Sequence, residues 1–177
     1  MSKSVEALSS SHVARPAYGI SVGWLCIAML ALAGCGAPDP TATTLTYRNP
    51  TATLAGTTRF DADRFAGNWQ ARSCIGPCAA TTNYRVSQTG AFVASAAGAT
   101  QTYLVDGPGI LRAAEDPEVL VVMWVDDGFR TAAIGTASGD MAAIISREAT
   151  GGADRIAAAR EILDFNGWDT AQLRDVK

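Results

Sequence analysis

The sequence predicts an all-β domain, an eight-stranded antiparallel up-and-down β-barrel with one C-terminal α-helix packed outside it. Three observations support this prediction. Eight short apolar runs follow one another between residues 67 and 147, bounded by residues that favour turns. The breaks between these runs are short, so that neighbouring strands pair as antiparallel hairpins. After the last run, the spacing of the apolar residues changes from that of a strand to that of a helix.

The predicted strands are separated by segments rich in Gly, Pro, Asp and Ser, such as SQTG, DGPG, EDPE and ASGD. Eight strands bury their inner faces best when the sheet closes on itself, which also removes its exposed edges. A sandwich of two sheets is the structural alternative. The predicted strands comprise residues 67–74, 80–87, 91–97, 100–105, 110–114, 119–126, 130–136 and 141–147.

The chain after the last strand predicts one amphipathic helix of about three turns. Within the segment GGADRIAAAREILDFNGWD, most of the charged residues lie away from one apolar face, which carries Ile156, Ala159, Ile162 and Leu163. The Asn-Gly pair that follows is typical of residues that end a helix. The predicted order is therefore barrel, helix and a short C-terminal tail.

The N-terminal region predicts an export signal. Lys3 and Arg15 precede an uncharged apolar run over residues 17–32, and this arrangement is typical of a signal peptide. A retained membrane anchor is the alternative, because the run reaches the lower limit of about 17 residues for a membrane span. The run leads into Leu-Ala-Gly-Cys, which resembles the lipobox of bacterial lipoproteins, where the cysteine carries a lipid. This resemblance implies a signal peptide over residues 1–34 and lipidation of Cys35.

The same resemblance implies a location in the cell. Residues 36–56 are rich in Thr, Ala and Pro, so we expect residues 35–56 to form the lipidated cysteine and a flexible tether. The folded domain is then predicted over residues 57–177. Gly36 stands where many inner-membrane lipoproteins have Asp. We therefore expect a lipid-anchored protein of the outer membrane that faces the periplasm.

The composition argues against several classes of function. The only histidine, His12, lies in the predicted signal peptide, so the mature chain lacks an imidazole for a catalytic triad or a metal site. We therefore expect no enzyme, no metal and no cofactor. The chain has a formal net charge of −3 and no basic run, so we expect no nucleic-acid partner.

Four motifs in a fixed order resemble the lipocalins. The first predicted strand carries Gly67-Asn68-Trp69, and the segments VMWVDDGFRTAAIG and DMAAIISRE are similar to late barrel strands of that family. The segment LDFNGWDTAQL is similar to the region after the helix in bacterial lipoprotein lipocalins. The resemblance covers roughly residues 57–177. It implies that Trp69 closes one end of the barrel and that Arg147 packs over the Trp69 ring, a cation–π contact.

The resemblance also implies a function. Lipocalins hold apolar molecules in the barrel interior, the calyx, so we expect a fatty acid, a lysophospholipid or a similar hydrophobic ligand. The large aromatic residues expected to line or rim the calyx are Tyr84, Phe92, Tyr103 and Trp124. Packing on the outer face of the barrel is the alternative for each of them. The alternative function is that of a periplasmic protein-binding or inhibitor lipoprotein, which would act through a surface loop.

Two cysteines, Cys74 and Cys78, depart from the lipocalin pattern. In an exported protein, the simplest expectation is a disulfide that joins the first strand to the second. Two free thiols or a thiolate metal site are the alternatives. A lone Cys-x3-Cys segment without histidine is a poor metal site.

Overall fold

The computed structural model describes residues 46–177. The predicted signal peptide, residues 1–34, and the predicted lipidation site Cys35 lie outside the described residues. No helix within residues 46–177 is long and apolar enough to cross a membrane.

Eight antiparallel strands form a closed barrel in which each strand pairs with the next along the chain. The first strand closes the barrel because it pairs with both the second and the eighth. The predicted up-and-down barrel is therefore confirmed. The strands are β1 (Gly67–Ile75), β2 (Thr81–Val86), β3 (Phe92–Ala96), β4 (Ala99–Gly107), β5 (Ile110–Ala113), β6 (Val119–Val125), β7 (Thr131–Thr136) and β8 (Ala142–Ser146).

The first strand is long enough to have two partners along one edge. Its first four residues pair with β2, with Trp69 opposite Thr82. Its later residues pair with a two-residue strand, β9 (Arg174–Asp175), in which Arg174 lies opposite Cys74. The C-terminal tail thus pairs with the part of the β1 edge that β2 does not cover. The sequence did not predict this pairing.

Two helices flank the barrel. The short helix α1 (Ala62–Phe65) precedes β1, and its N-terminus is capped by Asp61, whose Oδ1 accepts a hydrogen bond from the Arg64 N–H at 2.9 Å. The longer helix α2 (Ala153–Phe165) packs on β6, β7 and β8 from outside, as predicted. A 3₁₀ turn, Thr170–Gln172, then leads into β9.

Alternation along the strands divides the apolar residues into two clusters. The inner cluster fills part of the barrel and includes Phe65, Trp69, Tyr84, Phe92 and Leu111. The outer cluster lies between the barrel wall and α2 and includes Ile75, Val121, Ile144, Leu163 and Trp168.

The two ends of the barrel differ. The start of β1, helix α1 and the β6–β7 connection lie at one end, which we call the closed end. Because the strands are antiparallel, the other end carries the β1–β2, β3–β4, β5–β6 and β7–β8 connections. These four segments, the open-end connections, comprise residues 76–80, 97–98, 114–118 and 137–141.

The second half of the predicted tether packs on the barrel. Arg48 is buried; its Nε donates to the Asn166 carbonyl at 2.8 Å and its Nη2 donates to the Ala52 carbonyl. The Ala55 N–H donates to Asn166 Oδ1 at 3.1 Å. The folded part of the chain therefore begins before residue 57, because polar contacts fix a segment whose composition resembles a linker.

Candidate functional site

The closed end is sealed by three residues, Phe65, Trp69 and Arg147, which we call the floor cluster. The Trp69 side chain is buried; its ring stacks on Phe65 with 4.6 Å between centroids. Its Nε1–H donates to the Phe65 carbonyl at 2.8 Å. The guanidinium carbon of Arg147 lies 4.5 Å from the centroid of the Trp69 ring. This is cation–π geometry.

Arg147 also binds the backbone around the start of β1. Its Nε donates to the Phe129 carbonyl at 2.6 Å, and its Nη2 donates to the carbonyls of Arg64 at 2.8 Å and Ala66 at 2.9 Å. Burial lowers the pKa of Arg147 from its ordinary value. Gly67 has a φ of 117°, and a Cβ there would lie 2.6 Å from Arg147 Nη1. A glycine at this position therefore lets the arginine approach the backbone.

The β6–β7 connection is held by a buried carboxylate. Oδ1 of Asp126 accepts hydrogen bonds from the N–H groups of Arg130 and Thr131, both at 2.6 Å. Burial by itself raises the pKa of Asp126, but the donors on Thr131 and Arg130 outweigh it and lower the pKa below its ordinary value. The turn that carries Phe129 to the floor cluster thus depends on an ionised aspartate.

A layer of aromatic rings lies above the floor cluster. Phe92 is fully buried and stacks on Tyr84 with 5.3 Å between ring centroids. Phe60 and Phe65 meet the edge or face of Phe92 at 5.7 and 6.1 Å. Phe92 is the first residue of β3, so this layer lies toward the closed end.

Between the aromatic layer and the open end lies a cavity of about 280 Å³. Small inward side chains leave this space, notably Ala94 on β3 and Ala143 on β8. Among the described residues, its wall carries no charged side chain. The lining residues are Pro77, Cys78, Ala79, Thr82, Tyr84, Ala94, Ala96, Ala99, Thr100, Gln101, Tyr103, Leu120, Ile134, Met141, Ala143 and Ile145.

The cavity contains two neutral tyrosine hydroxyls. Burial raises the pKa of Tyr84, and the neighbouring Tyr103 raises it further. The pKa of Tyr103 is raised by burial and then by the carboxylates of Glu118 and Asp116. Both side chains therefore stay protonated near neutral pH and offer a hydrogen-bond donor and acceptor. Tyr84 is 4% exposed, and within residues 46–177 the only buried side-chain nitrogen or oxygen atom without a hydrogen-bond partner is Trp168 Nε1, in the outer cluster.

The four aromatic residues expected in the calyx occupy three different places. Tyr84 and Tyr103 line the cavity, and Phe92 lies beneath it in the aromatic layer. Trp124 belongs to the outer cluster, away from the cavity, which corrects the prediction for this residue. The register of β6 against β7 shifts between Val122 and Trp124. This bulge places two successive residues on the outer face, so that Trp124 loses the inward orientation that alternation from Val122 predicts.

The disulfide between Cys74 and Cys78 lies at the mouth of the cavity. The two Cα atoms are 6.4 Å apart. Cys74 is on β1, whereas Cys78 precedes β2 in the first open-end connection and lines the cavity. The disulfide is thus formed as expected, but it constrains a loop and does not join two strands. Within residues 46–177, no group of three or more His, Cys, Asp or Glu side chains could hold a metal ion.

Several cavity residues were not predicted from the sequence. Leu120, Ile134 and Ile145 face inward at alternate positions of their strands, a signal that becomes usable only when the register is known. Wider depressions of about 520 and 600 Å³ lie outside the barrel, but they are open to solvent and lined largely by polar residues. The cavity inside the barrel is therefore the candidate binding site.

Known proteins support the fold. The cockroach major allergen Per a 4 has a similar structure, with a TM-score of 0.55 and 13% sequence identity. The similarity covers 73% of this chain and 96% of the allergen chain. No protein-family model matches the chain. No curated protein sequence matches it either. The barrel with its external helix is therefore a lipocalin-like fold.

Proposed function

We propose that this protein binds a small hydrophobic molecule in its calyx and carries or sequesters it in the cell envelope, without catalysing a reaction. The cavity of about 280 Å³ supports this proposal most directly. It lies inside the barrel, and its described wall is uncharged and mainly apolar. Wall residues of this kind gain free energy when an apolar ligand covers them.

The size of the cavity limits the ligand. The volume of about 280 Å³ lies just below the range of about 300–1,000 Å³ that is typical of small-molecule pockets. A fatty acid or lysophospholipid, the ligands that the lipocalin resemblance suggests, would extend its longer chain beyond the mouth. Ligands with a short apolar body fit the enclosed volume better.

The location belongs to the same proposal. An uncharged apolar run followed by Leu-Ala-Gly-Cys supports export and lipid attachment at Cys35, with anchoring in the outer membrane. Cys35→Ser should leave the protein unprocessed or release it from membranes. A variant that fractionates with membranes at the normal processed size would contradict lipid anchoring, and the binding proposal would be unaffected.

Binding can be tested with the full chain and a neutral, polarity-sensitive dye such as N-phenyl-1-naphthylamine. The dye should bind with saturation and gain fluorescence. Ala94→Phe should block binding because it fills the cavity from β3. Ser95→Phe is the matched control, because the neighbouring residue of the same strand faces outward and does not line the cavity.

The proposal would be overturned if both variants bound the dye like the original protein, since the dye would then lie outside the calyx. Absence of saturable binding would overturn it as well. Mass spectrometry of protein purified gently from membranes would then show whether a protein partner is retained, as the alternative of a protein-binding lipoprotein requires.

A further inference from the structure

The charges around the mouth of the cavity are of one sign. The four open-end connections contain four acidic residues and no lysine or arginine. Two of these acidic residues, Glu115 and Asp116, are exposed to solvent, and the other two, Glu118 and Asp140, are partly buried. The wall below them carries no charge. A ligand that enters the cavity therefore passes a negative rim.

Glu118 is close to the cavity. It precedes the lining residue Leu120 by two positions and so belongs to the same face of the chain. Its carbonyl accepts a hydrogen bond from the Ala113 N–H at 3.0 Å, and Ala113 pairs directly with the lining residue Tyr103. Asp140 immediately precedes another lining residue, Met141.

Glu118 and Asp140 meet at one hydroxyl. Ser138 Oγ lies 2.8 Å from Glu118 Oε2 and 2.8 Å from Asp140 Oδ1. The hydroxyl has one proton and can donate to only one carboxylate at a time. Each carboxylate also accepts one further hydrogen bond, Glu118 Oε1 from the Val119 N–H at 2.9 Å and Asp140 Oδ1 from the Thr136 hydroxyl. In the part of the chain that the structure describes, neither carboxylate forms a salt bridge. The pair is thus suited to a cation with several N–H donors.

Basic side chains near the open end are directed elsewhere. Arg112 on β5 pairs with Asp106 on the outer face, with 2.5 Å between Nη2 and Oδ2. Arg174 lies outside β1, beside Tyr47 and Gly76. An anionic head group in the cavity would therefore lack a cationic partner, and at the mouth it would meet carboxylates.

The cavity also offers polar groups to a ligand. The hydroxyl groups of two lining residues, Tyr84 and Tyr103, can donate and accept hydrogen bonds. The cavity therefore suits a ligand that is not purely hydrocarbon.

We propose that the calyx selects a small protonated amine, whose apolar body fills the cavity and whose ammonium group binds Glu118 and Asp140 at the mouth. This inference rests on the proposed function, since it names the ligand class of the same cavity. It favours amines over the fatty acids and lysophospholipids that the sequence suggests. The ammonium supplies three donors, so it can donate to both carboxylates at once.

The test compares three ligands with the same octyl chain and different head groups: octylamine, octanol and nonanoate. Isothermal titration of the full chain at pH 7 and low salt should rank them in that order. Octylamine should bind roughly three- to tenfold tighter than octanol, as expected for exposed charge pairs. Added salt should narrow this difference, because it screens the rim.

A variant tests whether the negative rim causes the preference for octylamine over octanol. Glu118→Gln should lower the ratio of octylamine to octanol affinity by about threefold, since it removes one charge and keeps an amide that can still form hydrogen bonds. Glu161→Gln is the matched control, because it removes the same charge from the exposed surface of α2. The control should keep the original ratio.

The outcomes separate this inference from the proposed function. If nonanoate or octanol binds as tightly as octylamine, and Ala94→Phe blocks that binding, the amine assignment is wrong and the calyx remains a binding site. The amine assignment is also wrong if Glu118→Gln and Glu161→Gln both keep the original ratio of octylamine to octanol affinity. If none of the three ligands binds, both the assignment and the proposed function are overturned.

Discussion

At the scale of single residues, the floor cluster links stability to the closure of the barrel. Trp69 is 1% exposed, and Trp69→Ala should lower the free energy of unfolding by about 3–5 kcal/mol. Arg147→Ala should cost less, because the arginine is partly exposed. A double-mutant cycle in urea should give a coupling free energy of about 1 kcal/mol between the two residues, since they are in contact.

A matched substitution separates charge from geometry in this contact. Arg147→Lys keeps the positive charge but cannot reproduce the hydrogen bonds that the guanidinium donates to the carbonyls of Arg64, Ala66 and Phe129. It should therefore recover only part of the stability lost in Arg147→Ala. Full recovery by lysine, or additive effects in the cycle, would contradict the described role of the guanidinium.

Asp126 makes stability depend on pH. Its folded-state pKa lies below the value of about 3.9 expected when unfolded. The stabilisation is therefore present above about pH 4 and is lost as pH falls through the lower folded-state pKa. Asp126→Asn should lower stability at pH 7 and flatten the loss of stability below pH 4. Urea unfolding between pH 7 and pH 2.5 measures both effects.

Asp127 is the control for this experiment. Its side chain is 90% exposed, and it pairs with Arg59 at the surface, so Asp127→Asn should change stability by less than about 1 kcal/mol. An unchanged acid profile in Asp126→Asn would show that the pH dependence has another origin.

At the scale of elements, the strands and α2 were predictable, whereas local departures from regularity were not. Turn residues and alternation located all eight strands to within a few positions. The bulge after Val122 has no apolar signature of its own, so the sequence does not reveal that Trp124 faces outward. The packing of residues 46–56 was missed because its polar contacts come from Asn166, far along the chain.

The first open-end connection gives a second prediction at this scale. The disulfide closes a very short loop, so replacing Cys74 and Cys78 by alanine should lower the free energy of unfolding by less than about 3 kcal/mol. After reduction in the native state, a thiol reagent should label exposed Cys78 faster than Cys74, which is 5% exposed. Peptide mapping by mass spectrometry distinguishes the two from Cys26 and Cys35. Equal labelling rates would contradict the described burial of Cys74.

At the scale of the whole molecule, the sequence predicts the barrel better than it predicts the site. Closure follows from eight alternating strands with short connections, and Gly67 and Trp69 indicate which end is sealed. The cavity wall depends on which residues of neighbouring strands lie side by side, as Leu120, Ile134 and Ile145 do. The negative rim is likewise produced by topology, which brings Glu118 and Asp140 together from separate connections.

The central claim is that the inside of the barrel, and no other part of the molecule, holds a small apolar ligand. The most direct measurement is an NMR titration of the full chain with isoleucine δ1-methyl labels and octylamine. Ile144 and Ile145 are neighbours on β8, yet Ile145 lines the cavity and Ile144 packs in the outer cluster. Saturable shifts should appear for the methyl groups of Ile145 and Ile134, with those of Ile144 and Ile75 almost unchanged. Shifts centred on Ile144 and Ile75, or none at saturating ligand, would contradict the account.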